Sequence, residues 1–204
     1  MGFYEKRILP AFLNFAMDQK PIRYQRKKVV PLAEGRVLEV GIGSGLNLSF
    51  YDPNKVEKVW GLDPSAELRV YAEKVAAETA FDVEFIGLEA EEIPLDAASM
   101  DTVLITYTMC TIPDVMTALE GMRRVLKPGG QMIFCEHGRA PDEAVRKWQD
   151  RLNPIWKKIG GGCNLNRPIP DLIEQGGFKV KSLETMYIPG PKPMTFNYWG
   201  TAGV

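Results

Sequence analysis

The stretch Val37-Leu38-Glu39-Val40-Gly41-Ile42-Gly43-Ser44-Gly45 limits the fold more than any other part of the chain. An apolar run of strand length leads into three glycines, then into Leu46, Asn47 and Leu48, which read as the start of a helix. Glycines let such a turn tighten and let a ligand approach the backbone. A dinucleotide loop of the form G-x-G-x-x-G needs glycine at position 46, where this chain carries Leu46. Gly45 comes one residue early, and Glu39 stands two residues before the first glycine. Dinucleotide loops set a pyrophosphate on a helix N-terminus. A carboxylate beside the loop suits a cationic group instead.

Strand-like runs alternate with helical patterns along the chain. Arg36 to Val40, Lys58 to Leu62, Asp82 to Ile86, Met100 to Thr106 and Gln131 to Glu136 read as strands. Ala66 to Thr79 and Val115 to Val125 carry helical apolar spacing, and Lys127-Pro128-Gly129-Gly130 stops the second helix and turns into the fifth strand. Phe178 to Leu183 and Thr195 to Gly200 read as two late strands. This alternation implies an α/β, doubly wound, mainly parallel sheet covered on both faces. The chain of 204 residues, 45% hydrophobic, suffices for one packed core, so a single domain over 1–204 is expected. Residues 1–30 form a helical N-terminal cap, and 140–168 an inserted segment on the acceptor side. Ligands of such sheets bind at the carboxyl ends of the strands, where these two segments are natural covers.

Two further features fall at successive strand ends. In Gly61-Leu62-Asp63-Pro64, about twenty residues after the loop, an acid can hold both hydroxyls of a ribose; Asp63 can equally be the N-cap of the helix beginning near Ala66. In Gly87-Leu88-Glu89-Ala90-Glu91-Glu92, Glu89 can accept from an exocyclic amine and the Ala90 N–H can donate to a ring nitrogen. The bland alternative, a solvated acidic loop, is preferred for Glu92. A ribose, an adenine and a charged α-amino group, with no phosphate, together describe S-adenosylmethionine (SAM).

With these motifs in place, the sequence resembles the class I, seven-stranded, SAM-dependent methyltransferases from about Arg36 to Phe134, the Met100-Asp101 pair included. Within them it resembles the ubiquinone/menaquinone-type small-molecule enzymes. The resemblance implies a Rossmann-like sheet whose last strand runs antiparallel. It implies that Gly41 and Gly43 line the methionine part of SAM, Asp63 holds the ribose, and Glu89 with Ala90 reads the adenine. The expected cofactor-binding set is Glu39, Gly41, Gly43, Gly45, Asn47, Asp63, Pro64, Glu89, Ala90 and Thr106. In the second half, Phe134-Cys135-Glu136-His137, Leu152-Asn153-Pro154-Ile155-Trp156 and Gly162-Cys163-Asn164-Leu165-Asn166-Arg167 resemble blocks of the alkyl-thiol S-methyltransferases, as does Thr108-Met109-Cys110. A small, fairly apolar nucleophile, by resemblance a thiol, is therefore the expected acceptor. A small amine or phospholipid headgroup, or SAM binding without turnover, are the alternatives.

On the acceptor side, His137 is the sole histidine and follows the fifth strand. Either it takes a proton from the acceptor or it holds the inserted segment. Tyr107 and Thr106 end the fourth strand, near the expected sulfonium; Tyr107 either positions an acceptor or packs as a wall. The three cysteines, Cys110, Cys135 and Cys163, lie far apart. That spacing fits neither a disulfide framework nor a zinc knuckle, so no metal ligands are expected. An arsenic-binding reading is disfavoured because Cys135 sits in a buried-looking strand. The series Trp148, Leu152, Ile155, Trp156 and Ile159 reads by default as core packing, with the wall of an apolar acceptor pocket as the alternative.

Charge is balanced, with 25 basic and 26 acidic residues, which gives no basis for nucleic-acid binding. Three odd cysteines suit a reducing cytoplasm. The stretch Ile8 to Met17 contains Pro10 and Asn14 and is too short to span a bilayer. Lys20, Arg23, Arg26, Lys27 and Lys28 read as a solvated helical face, with peripheral contact to anionic lipid as the weaker alternative.

Overall fold

The computed structural model describes residues 9–204. Residues 1–8 of the expected cap lie outside the described residues. The chain forms helices α1 (Leu9–Met17) and α2 (Lys20–Val29), then strand β1 (Gly35–Val40). Strand β2 (Val56–Leu62), helix α3 (Ala66–Ala76), strand β3 (Asp82–Ile86), strand β4 (Met100–Thr106) and helix α4 (Val115–Val125) follow. The second half holds β5 (Leu126–His137), α5 (Glu143–Ile159), α6 (Ile169–Gln175), β6 (Lys179–Tyr187), the short α7 (Lys192–Thr195) and β7 (Phe196–Gly203).

One seven-stranded sheet runs in the order β3-β2-β1-β4-β5-β7-β6. The pairs among β1 to β5 are parallel, and β7 runs antiparallel to both β5 and β6. The mainly parallel sheet with an antiparallel last strand is thus as expected. The central strands are apolar on both faces because helices cover both. Leu38, Val40, Val103 and Phe134 pack on the α4 and α6 side, and Val37, Val59, Leu104 and Ile133 on the α2 side. The chain steps outward from β1 to β3 and then returns to β4 on the other side of β1. That reversal opens a crevice at the carboxyl ends of β1 and β4.

Several local expectations are corrected. No helix of ordinary length follows the glycine loop; a 3-10 turn, Leu48–Phe50, stands there. The Tyr51 hydroxyl is drawn inward to Glu39, and Pro53 biases Asp52 away from helical backbone. Residues 127–130 lie inside the irregular start of β5, whose pairing with β4 slips between Met100 and Thr102. Helix α3 stops at Ala76, short of Thr79, and both late strands run further than expected. Arg26 is buried, not solvated. The α5 series splits between two faces: Trp148 is 56% and Ile155 63% exposed, while Gln149, one residue on from Trp148, is fully buried.

Gln149 ties the inserted segment to the sheet. Its amide nitrogen donates to the carbonyls of Gly138 and Leu165 at 2.9 Å and of Pro193 at 3.1 Å, and its oxygen accepts from Ala140 N–H. Among the described residues no helix is long and apolar enough to cross a membrane.

Candidate active site

The glycine loop leaves β1 with Gly41, Gly43 and Gly45 all at positive φ, a region that favours glycine. The N–H groups of Gly41 and Ile42 donate to Leu62 O at the end of β2, which fastens the turn to the neighbouring strand. Asp63 follows directly. Its carboxylate accepts from Gly43 N–H and Ser65 N–H, both at 2.9 Å. Ser65, not Asp63, caps α3, accepting from Leu68 N–H. Burial raises the Asp63 pKa, and the two backbone bonds pull it back.

Behind the loop lies a buried polar network. Glu39 accepts from Asn47 Nδ2 at 2.9 Å and from the Tyr51 hydroxyl at 2.7 Å. Asn47 also donates to Thr106 Oγ1 at 2.9 Å. The Arg26 guanidinium reaches in from α2 and donates to Asn47 Oδ1 at 2.6 Å and to Thr106 Oγ1 at 2.8 Å. Burial pushes the Glu39 carboxyl up to about 7, against the hydrogen bonds and the Arg26 charge. Helix α1 is latched to the loop from the other side, where Ser44 Oγ donates to Asn14 Oδ1 at 2.6 Å.

A cavity of about 490 Å³ opens between these elements, within the range of small-molecule sites. Gly41, Gly43, Asp63, Thr106, Tyr107 and His137 lie on its wall. The remaining expected residues do not. Glu39 and Asn47 are buried behind the wall, with Glu39 using both oxygens on Tyr51 and Asn47. Gly45 packs its Cα face on Ala72, and Pro64, Glu89 and Ala90 lie off the wall. Glu89 is exposed, with its pKa raised first by partial burial and then by nearby acids including Asp63. The residues present fit SAM at one decisive point. A Cβ on Gly43 would meet nothing nearer than Leu68 at 3.9 Å and Asp63 at 4.0 Å, so the loop leaves an open cradle beside a carboxylate.

At the far end of the cavity, Tyr107 breaks from β4 with φ +54. Its hydroxyl donates to Asn197 Oδ1 at 2.6 Å, and its ring faces the Arg26 guanidinium at 5.4 Å. Glu136 takes the N–H groups of Thr108 and Met109 on one carboxyl oxygen and so holds the loop after β4. Burial lifts its pKa to about 7. His137 Nε2 lies 3.2 Å from Cys163 Sγ, in the inserted segment. Burial alone would lower the histidine pKa, but the Cys163 interaction outweighs it and the pKa rises. Cys163 falls to about 4, chiefly through the neighbouring Cys110 thiol and then through His137, with burial opposing. Cys110 moves well upward in turn.

Sequence reasoning missed this meeting of Cys110, Cys163 and His137. It also missed Arg26 and Gln149, whose only sequence signal was a polar residue among helix positions that otherwise face inward.

A methyltransferase-domain family model matches residues 38–134. The chain is 34% identical over 188 residues to Thiol S-methyltransferase TMT1B of Homo sapiens, covering 89% of this chain and 76% of that protein. It is 36% identical over 155 residues to Thiol S-methyltransferase TMT1B of Rattus norvegicus, covering 74% of this chain but 63% of that protein. A solved SAM-dependent methyltransferase from Thermotoga maritima, described as a possible histamine N-methyltransferase, superposes with a TM-score of 0.65 at 22% identity. It covers 97% of this chain and 98% of that one, and it bears on the fold alone. The chain belongs to the class I SAM-dependent methyltransferases and is homologous to their small-molecule members.

Proposed function

We propose that the chain transfers a methyl group from SAM to the sulfur of a small, fairly apolar thiol. The observation that carries this reading is the similarity to the human thiol S-methyltransferase over 89% of the chain, which reaches into the acceptor-side segment. The lining of the cavity agrees with it: Phe12, Met17, Trp156, Ile188 and Met194 give it apolar walls. When bound, SAM supplies an electrophilic methyl on a sulfonium. Gly41 and Gly43 give backbone access to its methionine part, Asp63 takes the ribose hydroxyls, and Thr106 borders the reacting end. Glu39 and Asn47 hold the loop from behind instead of touching the ligand. Tyr107 and His137 shape the acceptor end. In-line approach needs positioning above all. A thiol with the pKa of cysteine, about 8.5, is a few per cent ionised near neutrality, and a simple alkyl thiol less.

The test is release of S-adenosylhomocysteine with a panel of small alkyl thiols and a matched panel of amines. Release with thiols alone is expected. Release with amines alone would overturn the sulfur assignment, and no release with any acceptor would favour SAM binding without turnover.

One observation favours a second reading, a phospholipid amine acceptor with peripheral membrane contact. Phe12 and Phe15 on α1 and Tyr24 on α2 are exposed beside Lys20, Arg23 and Lys27. Co-sedimentation with liposomes that stays flat as anionic lipid increases would end it.

A further inference from the structure

Cys110, His137 and Cys163 come from three separate segments: the loop after β4, the last residue of β5 and the turn after α5. Their ligand atoms all lie within 4.8 Å of one another. All three border the cavity. We propose that they form a binding site for a thiophilic divalent cation, zinc first among them, with its fourth coordination position open to the cavity. The occupant of that position is the acceptor sulfur, a clause that rests on the thiol reading above.

The donor set and its spacing carry this. Two thiolates and an imidazole are the ligands zinc prefers, and three protein ligands with one open position are the pattern of a catalytic site rather than a structural one. Tetrahedral zinc with Zn–S about 2.3 Å and Zn–N about 2.0 Å places its ligand atoms roughly 3.5–3.8 Å apart. The 3.2 Å between Cys163 Sγ and His137 Nε2 needs to open only slightly to admit the ion. Two thiolates neutralise a dication, so loading the site adds no net charge to a largely buried place.

The loops that carry the two cysteines are also held in place by their surroundings, while His137 Nδ1 is buried with no hydrogen-bond partner among the described residues. Asn164 donates to Cys110 O from both its backbone N–H and its side-chain amide, each at 2.9 Å, so the loops that carry the two cysteines are joined directly. Arg167 donates to the carbonyls of Met109 and Ile112, on both sides of Cys110. Glu136 holds Thr108 and Met109 N–H from the strand that carries His137. Such surrounding bonds fix ligand direction in metal sites. The Trp156 indole N–H, buried without a hydrogen-bond partner of good geometry, borders Cys163 and is suited to stabilise sulfur charge.

In the open position a thiol R–SH gives its proton to water as its sulfur joins the cation. The sulfur is then held as a thiolate at neutral pH, inside the chamber where the methyl group must arrive. An amine gains less from a soft, sulfur-rich site.

The test uses the full chain, reduced with a phosphine and stripped by a chelator. Zinc alone is titrated by calorimetry, and cobalt(II) alone by absorption. One equivalent of each is expected to bind, with cobalt showing a tetrahedral spectrum and a thiolate-to-cobalt charge-transfer band. Cys110→Ser and Cys163→Ser should each weaken zinc by more than about 100-fold, beyond the usual cost of losing a supporting residue. Cys135→Ser, in the buried part of β5, should leave zinc binding unchanged. Wild-type protein that takes up neither metal stoichiometrically, or whose cobalt form lacks the thiolate band, overturns the site whatever the variants do. A small alkyl thiol should shift the cobalt band, and an unshifted band overturns the fourth-ligand assignment. Thiol methylation at the same rate by metal-free protein overturns the metal role and leaves the proposed function standing. A thiol-shifted cobalt spectrum with no thiol turnover supports the site and overturns that function.

Discussion

The Arg26 guanidinium donates a 2.8 Å hydrogen bond to the hydroxyl of Thr106, joining the N-terminal cover to the end of β4 at the cavity wall. The same nitrogen reaches Asn47, which in turn holds Glu39. The cover is therefore pinned to the loop by a buried cation, not only packed on it. Arg26→Met removes the cation and leaves a buried carboxyl and amide without it. The expected cost is about 3 kcal/mol of unfolding free energy, the scale of losing two hydrogen bonds from a charged donor, measured by denaturant titration near neutral pH. A loss below about 1 kcal/mol, the scale of an exposed pair, would show that the network does not hold the cover.

Glu39 gives a pH signature. Its folded pKa of about 7 stands above the ordinary 4.5. Between those values the folded chain holds a proton there that the unfolded chain has lost. Its contribution to stability is therefore greatest below about 4.5 and falls as pH rises toward 7. Glu39→Gln removes that slope. Its stability relative to the parent should rise by up to about 3 kcal/mol across the window, read from unfolding curves at a series of pH values. Glu136, raised by burial in the same way, is common to both proteins and cancels. A difference that stays constant with pH would mean that Glu39 is ionised in the fold.

The strands were legible because β-branched runs such as Thr102-Val103-Leu104-Ile105-Thr106 admit few other readings, and glycines and Lys127-Pro128 punctuate them. The place of Gly41, Gly43 and Asp63 on the cavity wall was legible for the same reason: strand ends in such a sheet meet at one crevice. That Glu39 lies behind the wall was not legible, because the direction of a strand side chain depends on a period of two and on which face the cavity occupies, and spacing from the loop does not supply the second. The Trp148 series was misread because positions 148, 155 and 159 share one face of α5 while 149, 152 and 156 share another. Cys110, His137 and Cys163 meet only through tertiary folding of three loops, and no local spacing encodes that.

Asp63 is the most direct test of the cofactor assignment. Asp63→Ala should weaken SAM by about 1–3 kcal/mol, the scale of hydrogen bonds to a charged group, in calorimetric titration of the folded variant. Because Asp63 also accepts from Gly43 N–H, circular dichroism should accompany the titration. Unchanged affinity would refute the ribose role.

Gly41 and Gly43 separate what the loop does for the fold from what it does for the ligand. Both lie at positive φ, 75° and 53°, so alanine at either carries a similar backbone cost of roughly 1 kcal/mol. Their surroundings differ. A Cβ on Gly41 would sit 2.1 Å from Thr108 Oγ1, inside the contact between the loop and the end of β4. A Cβ on Gly43 would enter open space in the cradle. Gly41→Ala should therefore lose stability well beyond the backbone cost, since it forces Thr108 and its neighbours apart. Gly43→Ala should stay close to that cost in denaturant titration yet lose most of its SAM affinity, because its methyl group occupies the space the ligand needs. If Gly43→Ala binds SAM like the parent, the ligand does not approach the loop there, and the cradle is a feature of the fold alone.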